Sequence, residues 1–192
     1  ALIKAKSLET LNEKRRYIGE EMLQESFPLV ENNEKLMKSP IIALAGENWH
    51  SGVIGITSAR LTDKYIKPSI IIAYDEEIGR GSARSIGEFD LYGFLKQFSH
   101  LFESFGGHKE AAGFSIKPEN IPTFINLAVD TAIRDIDPEK NAPLLDIDTY
   151  IDPKNLTLEF SKKMDIMAPF GPKNEQPIFY SNELRPIDMR CV

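Results

Sequence analysis

Two short runs of almost purely small and aliphatic residues, Ile41 to Ala45 and Ser69 to Tyr74, flank a segment of helical periodicity from about Gly52 to Tyr65. Pro40 and Pro68 stand just before the two runs. Strands with so little polar alternation are covered on both faces, and two of them joined by a helix form a parallel pair. This one block places the chain in the α/β class and predicts a sheet with helices packed against it.

Around it the pattern is less regular. From Leu2 to about Glu31, Leu8, Leu11, Ile18, Met22 and Leu23 recur at helical spacing among Lys, Arg and Glu, which predicts one long amphipathic helix. The pattern has no N-cap of its own, so the helix is expected to continue from a preceding segment. After Tyr74, a polar turn leads to a strand over Arg80–Ile86, helices around Asp90–Phe105, a strand over Gly113–Lys117 and a helix over Asn120–Arg134. Asp137-Pro138 to Ala142-Pro143 reads as a linker. Beyond it come a half-exposed strand, Leu144–Ile151, a short helix, Leu156–Met164, and a Pro/Gly-rich loop, Pro169–Pro177. Two strand-like pieces, Ile178–Leu184 and Ile187–Val192, end the chain. The expected divisions are a connector helix at 1–38, an α/β domain with a mixed sheet flanked by helices at 39–137, and a partial β unit at 143–192.

The chain has 192 residues, 42% hydrophobic and 27% charged, an ordinary mixture for a folded domain and part of a second. No apolar run approaches the roughly 20 residues that cross a bilayer, so no membrane role is expected. A single cysteine, Cys191, can form neither an internal disulfide nor a thiolate zinc site, which fits a reducing cytoplasm. The net charge of −6 argues against broad coating of nucleic acid, because that mode depends on many Lys and Arg neutralising phosphates. A local grip on one or two phosphates needs no such excess.

Three glycine-punctuated stretches have the residue types for such a grip, each expected where a strand ends or a helix begins. Trp49-His50-Ser51-Gly52-Val53-Ile54-Gly55 can open a helix whose first amides hold an anion, though a lone histidine beside a tryptophan is more commonly a packed or capped one at a plain helix start. Gly79-Arg80-Gly81-Ser82-Ala83-Arg84-Ser85-Ile86 carries two arginines and two hydroxyls. If extended, it points Arg80, Ser82 and Arg84 to one face and Ser85 to the other. The same residues also suit a polar edge strand whose arginines pair with Asp75, Glu76 and Glu77. Phe105-Gly106-Gly107-His108 lets backbone approach a ligand beside an imidazole, or makes a tight turn that requires positive φ. His50, His100 and His108 are not at ligand spacing and no aspartate-histidine cluster accompanies them, so no metal site is expected in this chain.

Taken in order, WHSGVIGITSARL (49–61), GSARSI (81–86) and FGGHKEAAGFSI (105–116) resemble the RecJ family of single-strand-specific exonucleases, within the DHH phosphoesterases. LNEKRR (11–16) is similar to the helix joining the two halves of that family's core, and APFGPKNEQPIF (168–179) resembles a loop of its OB-type domain. The resemblance implies a connector helix, a DHH-associated domain and the start of an OB-type domain. The family's Mn2+ or Mg2+ is held in a domain this chain does not contain, so the chain alone is expected to be inactive and to bind no metal.

It also implies a 5′-to-3′ exonuclease of DNA repair and recombination, acting on single-stranded DNA, with single-strand-binding protein or helicase partners. By the same resemblance, Ser82 and Arg84 hold the 5′ phosphate and Gly81 and Ser85 shape that loop. Gly106, Gly107 and His108 face the scissile phosphate, where His108 contacts an oxygen and, if protonated, stabilises the transition state. His50 and Gly52 line or support the substrate. Ala83 stands where the family often has glycine. Two other readings stay open: a phosphodiesterase for short oligonucleotides or cyclic dinucleotides, and a non-catalytic nucleic-acid-binding homologue.

Overall fold

The computed structural model describes residues 2–137 and 144–182. It divides into two units, Ala1–Pro143 and Leu144–Val192. The linker at 138–143, the strand expected over Ile187–Val192 and Cys191 lie outside the described residues.

In the first unit α1 (Leu2–Glu31) is a single helix with Pro28 inside it. Leu8 and Leu11 are exposed, whereas Met22, Leu23 and Val30 are buried, so the apolar stripe is used only in the second half. A short helix, α2 (Glu34–Lys38), follows, capped by the Asn33 side chain. Next come β1 (Ile42–Glu47), α3 (Ile54–Tyr65) and β2 (Ser69–Tyr74). The two strands pair in parallel, as their apolar runs require.

The sheet then turns antiparallel through β3 (Gly79–Arg84), β4 (Phe102–Gly107) and β5 (Ala111–Ile116), in the order β1-β2-β3-β5-β4. Two helices complete the unit, α4 (Leu91–Lys96) and α5 (Ile121–Asp135). The fold is therefore the expected α/β class with a mixed sheet flanked by helices. α1 belongs to the same compact unit as the sheet.

Two expectations are corrected. The helical reading of Asp90–Phe105 holds only for α4; residues 102–107 form an edge strand. Phe102 and Phe105, three apart, imitate helical spacing because a register shift between Phe102 and Ser104 returns both rings to one face. The stretch from Gly79 is not an edge but an interior strand, hydrogen-bonded to β2 and β5.

The two faces of the sheet differ sharply. One carries Ala83, Ala112, Phe114, Ile116 and Phe102, and packs against α5, whose buried Ile121, Phe124, Ala128 and Ala132 recur at helical spacing. Aromatic rings knit this core: Phe102 stacks on Phe114 at 4.3 Å, and Phe114 meets Phe124 edge-on at 5.2 Å. On the other face α3 covers β2 and part of β3. There Thr62 and Ser69 share a buried hydroxyl pair, and Ser69 donates to the Ser58 carbonyl at 2.6 Å.

The second unit has β6 (Thr149–Tyr150) and β7 (Phe179–Tyr180) in parallel, with α6 (Leu158–Met164) between them. The strand expected over Leu144–Ile151 is regular only at its end, and the one from Ile178 is described for two residues. Among the described residues no helix is long and apolar enough to cross a membrane.

Candidate functional site

Opposite the aromatic core, α3 overlaps β3 as far as Ser82, whereas among the described residues Gly113 of β5 and Gly106 of β4 are exposed. Strand register fixes what this face presents. Ser82 pairs with Gly113, which pairs with Gly106; Arg80 pairs with Ser115, which pairs with Ser104; Arg84 pairs with Ala111. Directly paired residues point to the same side and alternate residues along a strand share it. All of these therefore point away from the aromatic core, on one shelf of glycine, serine and alanine with an arginine at each end. Ser104 and Ser115 join hydroxyls at 2.6 Å. A side chain added at Gly106 would meet nothing within 4 Å, so the shelf is open above that residue.

Chain neighbours bound this shelf. Along one side runs α3, close enough that a methyl at Gly55 would lie 3.3 Å from Ser82 Oγ. No side chain caps the first turn of α3, and because the Val53 and Ile56 N–H groups donate to the His50 and Val53 carbonyls, the Ile54 and Gly55 amides are the ones left for an anion. Before that turn the Gly52 N–H donates to His50 Nδ1 at 3.0 Å. With Nδ1 accepting, Nε2 is the ring nitrogen left to donate. At the other end His108 follows β4 into the hairpin turn, its N–H donating to the Ala111 carbonyl at 2.8 Å. His108 thus lies two strands from Arg84 in the same row, about 10 Å at ordinary strand spacing, and is exposed.

Charge is distributed in a way the sequence does not announce. Among the described residues of the first unit beyond α1, Arg60 is paired with Glu20 and Arg134 with Asp135. Among the described residues Arg80 and Arg84 have no carboxylate within ion-pair distance, and Arg84 Nε is buried without a hydrogen-bond partner. The pairing of these arginines with Asp75, Glu76 and Glu77 does not form. Asp75 instead accepts the Glu77 and Ile78 N–H groups, which hold its carboxyl below the usual carboxylate range.

Not every candidate reaches the shelf. A methyl at Gly81 would strike the Phe114 ring at 2.1 Å, so Gly81 faces the aromatic core and shapes the strand from behind. Ala83 is buried on that same side, where its methyl packs in the core. Ser85 turns into the following loop and donates to the Phe89 carbonyl at 2.7 Å. Gly107, at φ 152°, lies against Ala112 and makes the turn possible. His50, Gly52, Ser82, Arg84, Gly106 and His108 remain around one surface. Arg80 and Gly113 join them: alternation along the strand already put Arg80 on the face of Ser82 and Arg84 without marking it as a site residue, whereas the face of Gly113 follows from strand register. Among the described residues no three His, Cys, Asp or Glu side chains converge to hold a metal, so these residues do not fit a divalent ion.

Comparison with known proteins agrees with this architecture. Residues 38–134 match the DHHA1 domain model and residues 147–192 the RecJ OB domain model. The chain belongs to the RecJ family. It is 31% identical to the single-stranded-DNA-specific exonuclease RecJ of Bacillus subtilis, over 90% of this chain and 22% of that protein. Against the Thermus thermophilus exonuclease RecJ the identity is 28%, over 90% of this chain and 24% of the relative. The crystal structure of Thermus thermophilus RecJ with Mg2+ superposes with a TM-score of 0.74 at 26% identity, covering 91% of this chain and 26% of that one. Its Mn2+ complex gives 0.73 at 28% identity, covering 92% and 25%. The chain thus spans about a quarter of these RecJ proteins.

Proposed function

We propose that this chain grips the end of a single DNA strand within a 5′-to-3′ exonuclease of repair and recombination. The observation that carries the reading is the open part of the sheet over β5 and β4: small residues in register beside two guanidiniums that have no ion pair among the described residues, in a chain of net charge −6. A sheet face left uncovered and paved with glycine and serine admits close approach of another backbone, and free guanidiniums select phosphate.

In this reading Ser82 and Arg84 hold the terminal 5′ phosphate through the hydroxyl and the half-buried guanidinium, whose Nε itself is enclosed away from solvent. Gly106 admits the strand, Gly107 sets the turn, and His108 contacts the scissile phosphate oxygen, donating a hydrogen bond as charge develops there. His50 and Gly52 shape the start of α3 beside it; Gly81 and Ser85 fix the strand and loop from behind. Thermus thermophilus RecJ is solved with Mg2+ and with Mn2+; such an ion, if bound in a domain joined to this chain, would make hydroxide available for hydrolysis. The described residues of this chain offer it no ligand set. The RecJ OB domain match favours a longer strand over a cyclic dinucleotide as substrate.

The test is Arg84→Ala in the protein that joins this chain to a metal-bearing domain, comparing digestion of 5′-phosphorylated and 5′-hydroxyl strands. The parent is expected to prefer the phosphorylated end and the variant to lose that preference. An unchanged preference overturns the assignment of Arg84.

A further inference from the structure

The shelf does not stop at Arg84. Arg80 lies on the same face four residues earlier in β3, about 13 Å away along an extended strand, which is more than one backbone repeat of a polynucleotide. Rooted that far apart, the two guanidiniums are placed to serve separate phosphates; neither is ion-paired among the described residues, though Asp75 lies near enough to Arg80 for their charges to interact. At the Arg84 end the shelf is bounded by a loop stitched to the hairpin turn: the Ser85 N–H donates to the Glu110 carbonyl at 2.8 Å and the Leu91 N–H to the Lys109 carbonyl at 3.1 Å. Lys109 is ion-paired with Glu88 there. At the Arg80 end the shelf opens into a cleft of about 320 Å³, within the range of small-ligand sites.

That cleft lies at the carboxyl ends of the parallel strands β1 and β2, beside the start of α3, where sheets of this class usually take ligands. Asn48, His50, Ser51, Tyr74, Ile78 and Arg80 line it. The amide, the imidazole Nε2–H and the hydroxyls present both donors and acceptors to a base edge. The Tyr74 ring and Ile78 offer apolar surface for its face. Asp75 also borders the cleft, but two backbone amides occupy its Oδ1.

We propose that this cleft is a second nucleotide subsite, in which Arg80 binds an internal phosphate of the same strand and the pocket beside it receives a base. This inference rests on the reading of Ser82 and Arg84 as the terminal-phosphate site. It implies that the strand runs from Arg84 towards Arg80, so affinity rises when the strand becomes long enough to reach the cleft.

Amide shift mapping on the 192-residue chain separates the two claims. 5′-Thymidine monophosphate is expected to move residues 82–85 and 106–108 only. A 5′-phosphorylated thymidine tetranucleotide is expected to move residues 48–52 and 75–80 as well. In Arg80→Ala the second set disappears and tetranucleotide affinity falls about tenfold, the loss of one charge-assisted contact, while mononucleotide shifts persist. Arg80 is exposed, so the variant keeps its fold.

The subsite is overturned if the tetranucleotide adds no cleft shifts, or if Arg80→Ala binds it as the parent does. If instead the tetranucleotide moves the cleft but neither ligand moves residues 82–85, the terminal-phosphate reading fails while the cleft stands. Absence of shifts with both ligands overturns both.

Discussion

Trp49 Nε1 donates to Glu25 Oε2 at 2.8 Å, a bond that spans the connector helix and the turn after β1. The indole lies flat over Gly46, where a methyl would fall 2.1 Å from the ring. The tryptophan that opens the WHSGV stretch is thereby a clip between α1 and the sheet, and the neighbouring His50 is left to line the cleft. Gly46→Ala is expected to expel the ring, at a cost of about 1–3 kcal/mol for an overpacked site. Because Trp49 is the one tryptophan in the chain, its emission reports the event: a red shift with a lowered Tm is expected. Unchanged emission would show that the ring does not need that glycine.

Further along the same helix pair, Arg60 Nη1 donates to Glu20 at 2.8 Å, and Lys64 Nζ and the Tyr65 hydroxyl both donate to Glu31 at 3.0 Å. The bonds from Lys64 and Tyr65 hold the Glu31 carboxyl below the usual carboxylate range, and Glu31 raises Lys64. A depressed carboxylate stabilises the fold above its unfolded value, about 4.3, and that contribution is lost as pH falls through the folded value. A raised lysine acts oppositely: its contribution is complete below about 10.4 and is lost as pH rises through the folded value. Docking of α1 is therefore firmest between these limits. Glu31→Gln should narrow the Tm difference between pH 7 and pH 3 relative to the parent, measured by circular dichroism. Equal differences in the two proteins would remove Glu31 from the acid response.

The missing ligand set makes a separate prediction. With no converging metal-ligating groups among the described residues, the purified 192-residue chain is expected to release no nucleotide from single-stranded DNA with Mn2+, measured as acid-soluble product. Manganese-dependent turnover would mean that this chain holds its own catalytic centre.

The parallel pair was legible because Ile70, Ile71 and Ile72 admit no polar face; a strand buried on both sides cannot hide. β4 was not legible. Its bulge put Phe102 and Phe105 at a helical spacing, and only pairing with β5 distinguishes the two readings. The site was half legible for a related reason. Alternation in Arg80-Gly81-Ser82-Ala83-Arg84 gives the shared face of the arginines. Whether that face is bare depends on where α3 and α5 pack, which no local pattern records. Gly106 and Gly81 look alike in sequence and lie on opposite faces.

That last contrast is directly testable, since both are strand glycines and alanine is less disfavoured in a strand than glycine. Gly81→Ala drives a methyl into the Phe114 ring, so a loss of about 1–3 kcal/mol is expected from overpacking, visible as a lower Tm. Gly106→Ala adds its methyl to open space, so the Tm should hold or rise slightly. The same methyl would stand on the shelf between Ser82 and the turn at His108, where the strand must approach the backbone. Weaker binding of single-stranded DNA at undiminished Tm is the expected signature for Gly106→Ala, read by fluorescence anisotropy alongside the melt. If Gly106→Ala binds as the parent does, the strand does not lie on this half of the sheet.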